Sequence, residues 1–187
     1  MANLLHEDKR INGEDVWLTE DTKRAIMLSI VPGALSFGAF AFFRNDKNLI
    51  IWYNRTYKPK WAKVNPFVYG ILNAATIIPS TYAACVVYKH GGGLGHNETK
   101  LALSLFASTL TLAIVTIPIM KKTDYDRLFS NTILVHLSGI GTAIAFGRIH
   151  DQAGILMVPY VLWTGFCSFL TYSLKKMNRK SEIDLDT

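Results

Sequence analysis

Residues 155–176 read ILMVPYVLWTGFCSFLTYSLKK. Twenty residues without a charge run up to the pair Lys175-Lys176. A helix rises about 1.5 Å per residue, so this run spans about 30 Å, the thickness of a bilayer's hydrocarbon core. The two lysines then fall where a membrane helix meets headgroups and water. The stretch therefore reads as a membrane-crossing helix.

Working outward, four further apolar runs of similar length appear, at about 25–43, 67–88, 101–120 and 128–147. Charged residues are 18% of the 187-residue chain, and they collect between the runs. Buried helices of a small soluble domain would carry polar stripes at the helical period instead. The fold class expected is an all-α membrane protein, a five-transmembrane-helix bundle. It divides into a polar N-terminal tail at 1–24, the helical domain at 25–176 and a charged, disordered C-terminal tail at 177–187. Thr19-Glu20-Asp21 offers a cap for the first helix.

The net charge of +6 does not indicate nucleic acid, because the basic residues sit at the ends of apolar runs. Cys85 and Cys167 lie inside runs and are expected as reduced, packed thiols. Pro32 and Gly33 interrupt the first run, and Ala34 with Gly38 forms a small-xxx-small pair suited to close helix approach. A polar, basic, aromatic connection follows over 44–66. The run Gly91-Gly92-Gly93-Leu94-Gly95 lacks the strand before it and the Lys-Ser/Thr after it that a phosphate loop needs, so it reads as a helix-ending turn.

Five spans put the first and third connections on the C-terminal side. Thirteen Lys and Arg residues fall there, among them Lys58, Lys63, Lys121 and Lys175, against seven opposite. The C-terminus is thus expected in the cytosol. Asn97-Glu98-Thr99, an acceptor sequon for glycosylation, falls on the other side.

Two stretches carry a resemblance. Trp52-Tyr53 followed by Lys58-Pro59-Lys60-Trp61 looks like a Trp-Tyr…Lys-Pro-x-Trp segment between first and second helices. Pro159-Tyr160-Val161-Leu162-Trp163, then Phe166, Leu170 and Tyr172, looks like a fifth-helix pattern, matched without a gap. Both belong to the translocator-protein family, known also as the peripheral-type benzodiazepine receptor or tryptophan-rich sensory protein family. Over about 30–178 the chain resembles a divergent member. Lys63-Val64 stand where the family has a proline pair, and Asn73 stands where it has a tryptophan. Ala113-Ile114-Val115-Thr116-Ile117 replaces an Asn-Trp-x-Trp-Pro stretch, and Thr171 replaces Asn.

The resemblance implies a membrane receptor for apolar planar ligands. Sterol (cholesterol) binding and transport come first, and tetrapyrrole (porphyrin or haem) binding second. It implies a bundle pocket walled by Tyr69, Gly70, Leu72, Asn73, Ser130, Leu134, Trp163, Cys167 and Leu170. Trp52, Tyr53, Lys58, Pro59 and Trp61 would form a lid loop; the same aromatics also suit an interfacial belt. Leu170, Tyr172 and Lys175 fit the proposed cholesterol pattern, and equally a helix end with a snorkelling lysine. The family's usual site in animals is the mitochondrial outer membrane.

His136 is the ionisable group inside a span, expected as a neutral histidine bonded to a neighbouring helix, with a haem ligand or proton relay as the sharper alternative. Asn131 is expected to join helices, and Ser108, Thr109, Thr111 and Thr116 to return hydroxyl bonds to their own helix. Asp124 and Asp126 are expected to be solvated. The sequence offers no clustered metal ligands, no carboxylate pair within a span and no nucleophile turn, so no enzyme activity, cofactor, metal or nucleic-acid partner is expected. The bilayer and a sterol or tetrapyrrole are the expected partners, and a homodimer is left open. A small transporter or channel not acting on sterols is the alternative. It would want charges or paired broken helices at mid-membrane, and the spans carry His136, Pro32, Pro79 and Pro118 without an acid or base.

Overall fold

The computed structural model describes residues 10–11, 14–15, 22–23, 25–34, 38, 46–63, 65–122 and 124–183. Six helices organise them: α1 Ala25–Ala34, α2 Lys47–Arg55, α3 Pro66–His90, α4 Asn97–Lys121, α5 Tyr125–Ile149 and α6 Asp151–Ile183. A two-residue antiparallel ladder, Arg10–Ile11 on Glu14–Asp15, precedes them.

Four helices are long and apolar enough to cross a membrane, over Phe67–His90, Asn97–Lys121, Tyr125–Ile149 and Asp151–Asn178. The shortest, 24 residues, extends about 36 Å at 1.5 Å per residue, more than the hydrocarbon requires. The first expected span is described as helix over Ala25–Ala34; 35–37 and 39–43 lie outside the described residues, as does the cap expected at Thr19-Glu20-Asp21.

Local signals set the helix ends. Asp46 caps α2 by accepting from the backbone N–H groups of Asn48 and Leu49. Asn65 caps α3 with Pro66 in the first turn, where a missing N–H costs nothing. Asp124 caps α5 by accepting from Arg127 N–H at 2.9 Å, and it pairs with the Arg127 guanidinium at 2.9 Å. Between α3 and α4, Gly92 and Gly93 have φ of 73° and 68°, a region that favours glycine. Thr99 Oγ1 closes this turn by donating to the Gly91 carbonyl at 2.6 Å, so the sequon's threonine is buried.

Helix α5 packs along both α4 and α6, and α3 packs along α6. The usual distribution of polarity is inverted. Leu101, Ile114, Ile155 and Leu162 stand outward, each about two-thirds exposed, while Ser80, Thr109 and Thr142 are fully buried. In water such a surface would aggregate; in hydrocarbon it is solvated. The chain is an integral membrane protein.

Small residues let α5 and α6 approach closely. A side-chain carbon at Gly154 would lie 2.8 Å from Gly147 Cα. Gly139 faces the Tyr160 ring, and Gly165 faces the His136 imidazole. The seam is then bonded: Thr132 and Thr171 share a 2.7 Å hydroxyl bond, and Ser168 donates to the Thr132 carbonyl at 3.0 Å. On the other side of α5, Asn131 Nδ2 donates to Leu112 O at 3.0 Å and Thr116 Oγ1 at 2.9 Å on α4. Thr109, Ser138 and Thr142 form a hydroxyl cluster there. An apolar cluster including Ile77, Val87, Phe106, Phe146, Met157 and Tyr160 fills the bundle toward the α3–α4 turn.

Three expectations are corrected. Ala34 and Gly38 are exposed, and among the described residues nothing stands within 4 Å of a carbon built on Gly38. Gly33 makes the close approach instead, against Ile78 of α3. The connection over 44–66 contains α2, whose Asp46 cap and short apolar stripe of Leu49 and Trp52 support one buried face. The C-terminal tail from 177 continues α6 to Ile183, and buried Asn178 in it bonds to Tyr57 and to Leu174 O.

The Gly147–Gly154 contact yields a prediction. Gly154→Leu forces the α5–α6 backbones apart and should cost about 3 kcal/mol. Thermal unfolding in detergent checks this, with a leucine at exposed Gly95 expected to leave the midpoint unchanged.

Candidate functional site

Helix α6 and the first connection build an aromatic run. Trp163 stacks on Phe166 with centroids 5.5 Å apart. Trp61 meets Phe166 edge-on at 5.9 Å and stacks on Phe169 at 5.5 Å. Tyr69 of α3 lies 6.2 Å from Trp163. Spacings of three residues put 163, 166 and 169 on one α6 stripe, and Trp61 reaches it from the connection. These separations suit attractive aromatic contact.

Two polar bonds fix the run. Trp163 Nε1–H donates to Asn73 Oδ1 at 3.0 Å, so the amide at the family's tryptophan position holds the indole of α6. Tyr69 O–H donates to Ala62 O at 3.2 Å, tying α3 to the connection.

Of the expected pocket residues, Tyr69, Asn73 and Trp163 come together, Gly70 is buried beside them on α3, and Cys167 and Leu170 are half-buried along α6. Leu72, Ser130 and Leu134 do not join this wall. Leu72 is 43% and Leu134 52% exposed, and Ser130, also exposed, returns its hydroxyl bond to Asp126 O at 3.0 Å. The reason is helical rotation. Leu72 stands about 200° from buried Gly70, and Ser130 and Leu134 share an outer stripe of α5 whose inner stripe is Asn131, Val135 and Gly139.

The lid residues divide. Trp52 is buried, while Trp61 is half-exposed and stacked on α6. Lys58 Nζ donates to the Tyr53 carbonyl and lies 3.0 Å from the Tyr53 ring centroid. Burial, then the neighbouring Lys63 charge, holds the Lys58 ammonium below the usual lysine range. Pro59 precedes the turn Lys60–Ala62.

This connection is pinned at one end of the bundle. Asp46 pairs with Lys121 of α4 at 2.5 Å, and that bond holds the Asp46 carboxyl below its usual range. Thr56 and Tyr125 of α5 share a 3.0 Å hydroxyl bond. Asn178 of α6 accepts from Tyr57 N–H at 3.0 Å and donates to Tyr57 O at 3.1 Å.

A second patch surrounds the expected sterol contact. Tyr172 is half-exposed, with Phe129 of α5 at 5.6 Å. Lys175 Nζ lies 5.4 Å from the Phe129 centroid and pairs with Asp126 at 2.6 Å. The sequence gives no sign that Phe129 and Asp126 join Tyr172 and Lys175. Their distance in the chain hides them, and only the α5–α6 pairing reveals them. Asp126 is exposed, as expected, and is also the Lys175 counter-ion.

His136 shares a 3.1 Å bond with Thr164 Oγ1 on α6, the helix-joining role expected of it. Among the described residues no group of three or more His, Cys, Asp or Glu side chains forms a metal site.

Comparison with known proteins gives a concordant result. The profile of the TspO/MBR family matches residues 25–177. Tryptophan-rich protein TspO of Chlorobaculum tepidum is 27% identical over 165 residues, covering 83% of this chain and 98% of that protein. Translocator protein of Ovis aries is 24% identical, covering 83% and 90%. Translocator protein 2 of Homo sapiens is 33% identical over 121 residues, covering 62% and 70%.

The Asn73–Trp163 bond is testable by a double-mutant cycle. Asn73→Ala and Trp163→Phe, alone and together, should give a coupling of about 1 kcal/mol in unfolding experiments. Additivity within 0.3 kcal/mol would rule the bond out as a structural link.

Proposed function

The chain belongs to the TspO/MBR family, and from that premise we propose that it is a membrane receptor for a flat apolar ligand, a sterol before a tetrapyrrole. The observation that carries the sterol reading is the Phe129–Tyr172–Lys175–Asp126 patch. It combines what a sterol needs at a helix–lipid boundary. Two rings on neighbouring helices form a ledge for the fused apolar rings, and a phenol with an ion pair beside it offers hydrogen bonds to the 3-hydroxyl. Leu170, two residues before Tyr172, stands about 200° away around α6 and lies outside this patch.

The aromatic run of Trp61, Phe166, Trp163 and Tyr69 supports a tetrapyrrole as second ligand, since stacked rings favour a planar macrocycle. In this reading the bundle has five spans, the C-terminus faces the cytosol, and the membrane is the mitochondrial outer membrane. The role is binding and transfer without a catalytic step, and a homodimer is compatible with the broad outer face of α4.

The experiment titrates cholesterol and protoporphyrin IX separately into protein held in nanodiscs. Cholesterol should saturate, and Tyr172→Ser should weaken it about tenfold, the loss of one hydrogen bond and part of an apolar contact. Trp61→Ala should weaken porphyrin about fivefold and leave cholesterol unchanged. Saturable cholesterol binding indifferent to Tyr172→Ser would sink the sterol patch. Absence of both bindings would sink the receptor reading.

A further inference from the structure

The first connection encloses an open cleft of about 750 Å³. Arg55, Lys58 and Lys63 line it together with Tyr53, Asn54 and Tyr57, and among the described residues no carboxylate does. Arg55 ends α2, Lys58 follows the Thr56 cap, and Lys63 follows the turn Lys60–Ala62, so backbone reversal gathers three cations around one opening. Three other basic residues at this end have acids: Lys121 has Asp46, Arg127 has Asp124, and Lys175 has Asp126. Among the described residues Arg55, Lys58 and Lys63 have no such partner.

Like charges converging without a counter-ion repel one another, and an arriving anion relieves that repulsion. Lys58 is held in place by the Tyr53 carbonyl and ring, so its ammonium is positioned rather than sweeping through solvent. The Asn54 amide and the Tyr57 phenol add donors that suit oxygen acceptors. The cleft also lies just before Pro66, where α3 begins, which is the depth of lipid headgroups.

We propose that this cleft is an anion site for a phosphate monoester, either the headgroup of an acidic phospholipid or a soluble phosphate. Phosphate matches the site's charge, and its several oxygens can engage three cations at once. The cleft shares no lining residue with the aromatic run or with the Tyr172 patch, so the proposal stands whether or not a sterol binds.

The test uses the full-length protein in detergent and isothermal titration calorimetry. The probes are dioctanoyl phosphatidic acid, dioctanoyl phosphatidylcholine and inorganic phosphate. Phosphatidic acid should saturate near one per chain and phosphatidylcholine should not bind. The triple variant Arg55→Gln/Lys58→Gln/Lys63→Gln should bind about a hundredfold more weakly, as three surface cations each contribute about fivefold. Lys89→Gln/Lys100→Gln, at the other end of the bundle, should leave affinity unchanged. If the triple variant loses helix content, Lys63→Gln alone, at an exposed position, should still cost about fivefold. Inorganic phosphate displacing the lipid at a similar concentration would assign the site to soluble phosphate, and failure to displace it would assign the site to the headgroup. The proposal is overturned if neither phosphate probe saturates, if the variants bind within twofold of wild type, or if the Lys89→Gln/Lys100→Gln control loses as much.

Discussion

Hydrocarbon offers no hydrogen bonds, so each polar atom inside a span must find its partner within the protein. This constraint explains the seams of the bundle. Thr132, Ser168 and Thr171 bond across α5 and α6, His136 reaches Thr164, and Asn131 reaches the α4 backbone. Such bonds are individually modest, since a helix alone in lipid also satisfies many of its own hydroxyls. Thr111 does just that, returning its bond to Ala107. The difference lies in direction: a hydroxyl on the seam can do both, as Thr109 does with Leu105 O and Ser138. Glycine and polarity then act together, because Gly147 and Gly154 bring the backbones close enough for short side chains to meet.

Four long helices could be read directly, since a run of apolar residues bounded by lysines has few other solutions. Their boundaries moved outward by up to four residues at the N-termini, where Asn97 and Asp151 continue the helix into the polar zone. Helix α2 was harder to see. Its nine residues carry four apolar side chains, of which only Leu49 and Trp52 are buried, so the signal is a single stripe within a polar segment. The extension of α6 past 176 was also hidden, and Asn178 within it exchanges bonds with Tyr57, 121 positions apart.

The candidate site was legible by composition and less so by geometry. The motif residues Trp61, Trp163 and Phe166 meet in space, as their shared helical stripe allows. Adjacent residues carried over together did not stay together, because each step along a helix turns the side chain by about 100°. Residues that complete the Tyr172 patch, Phe129 and Asp126, belong to another helix and carry no motif. Pairing of α5 with α6 is a tertiary fact that periodicity alone does not supply.

The departures from the family's pattern acquire a physical meaning from these contacts. At position 73 an amide stands where the family has a tryptophan, and it accepts the Trp163 N–H in a directed bond. That bond fixes the orientation of the remaining indole while removing stacking area from α3. On α4 the substitutions act differently. Ile114 is 67% exposed, and Thr116 instead turns to Asn131. One position of that stretch thus serves the α4–α5 seam and another faces lipid. The aromatic surface left for a ligand therefore gathers on α6 and on Trp61 of the connection. Asp46, Thr56 and Tyr57 pin that connection to three different helices, and Trp61 lies on the turn Lys60–Ala62 between those bonds and the start of α3.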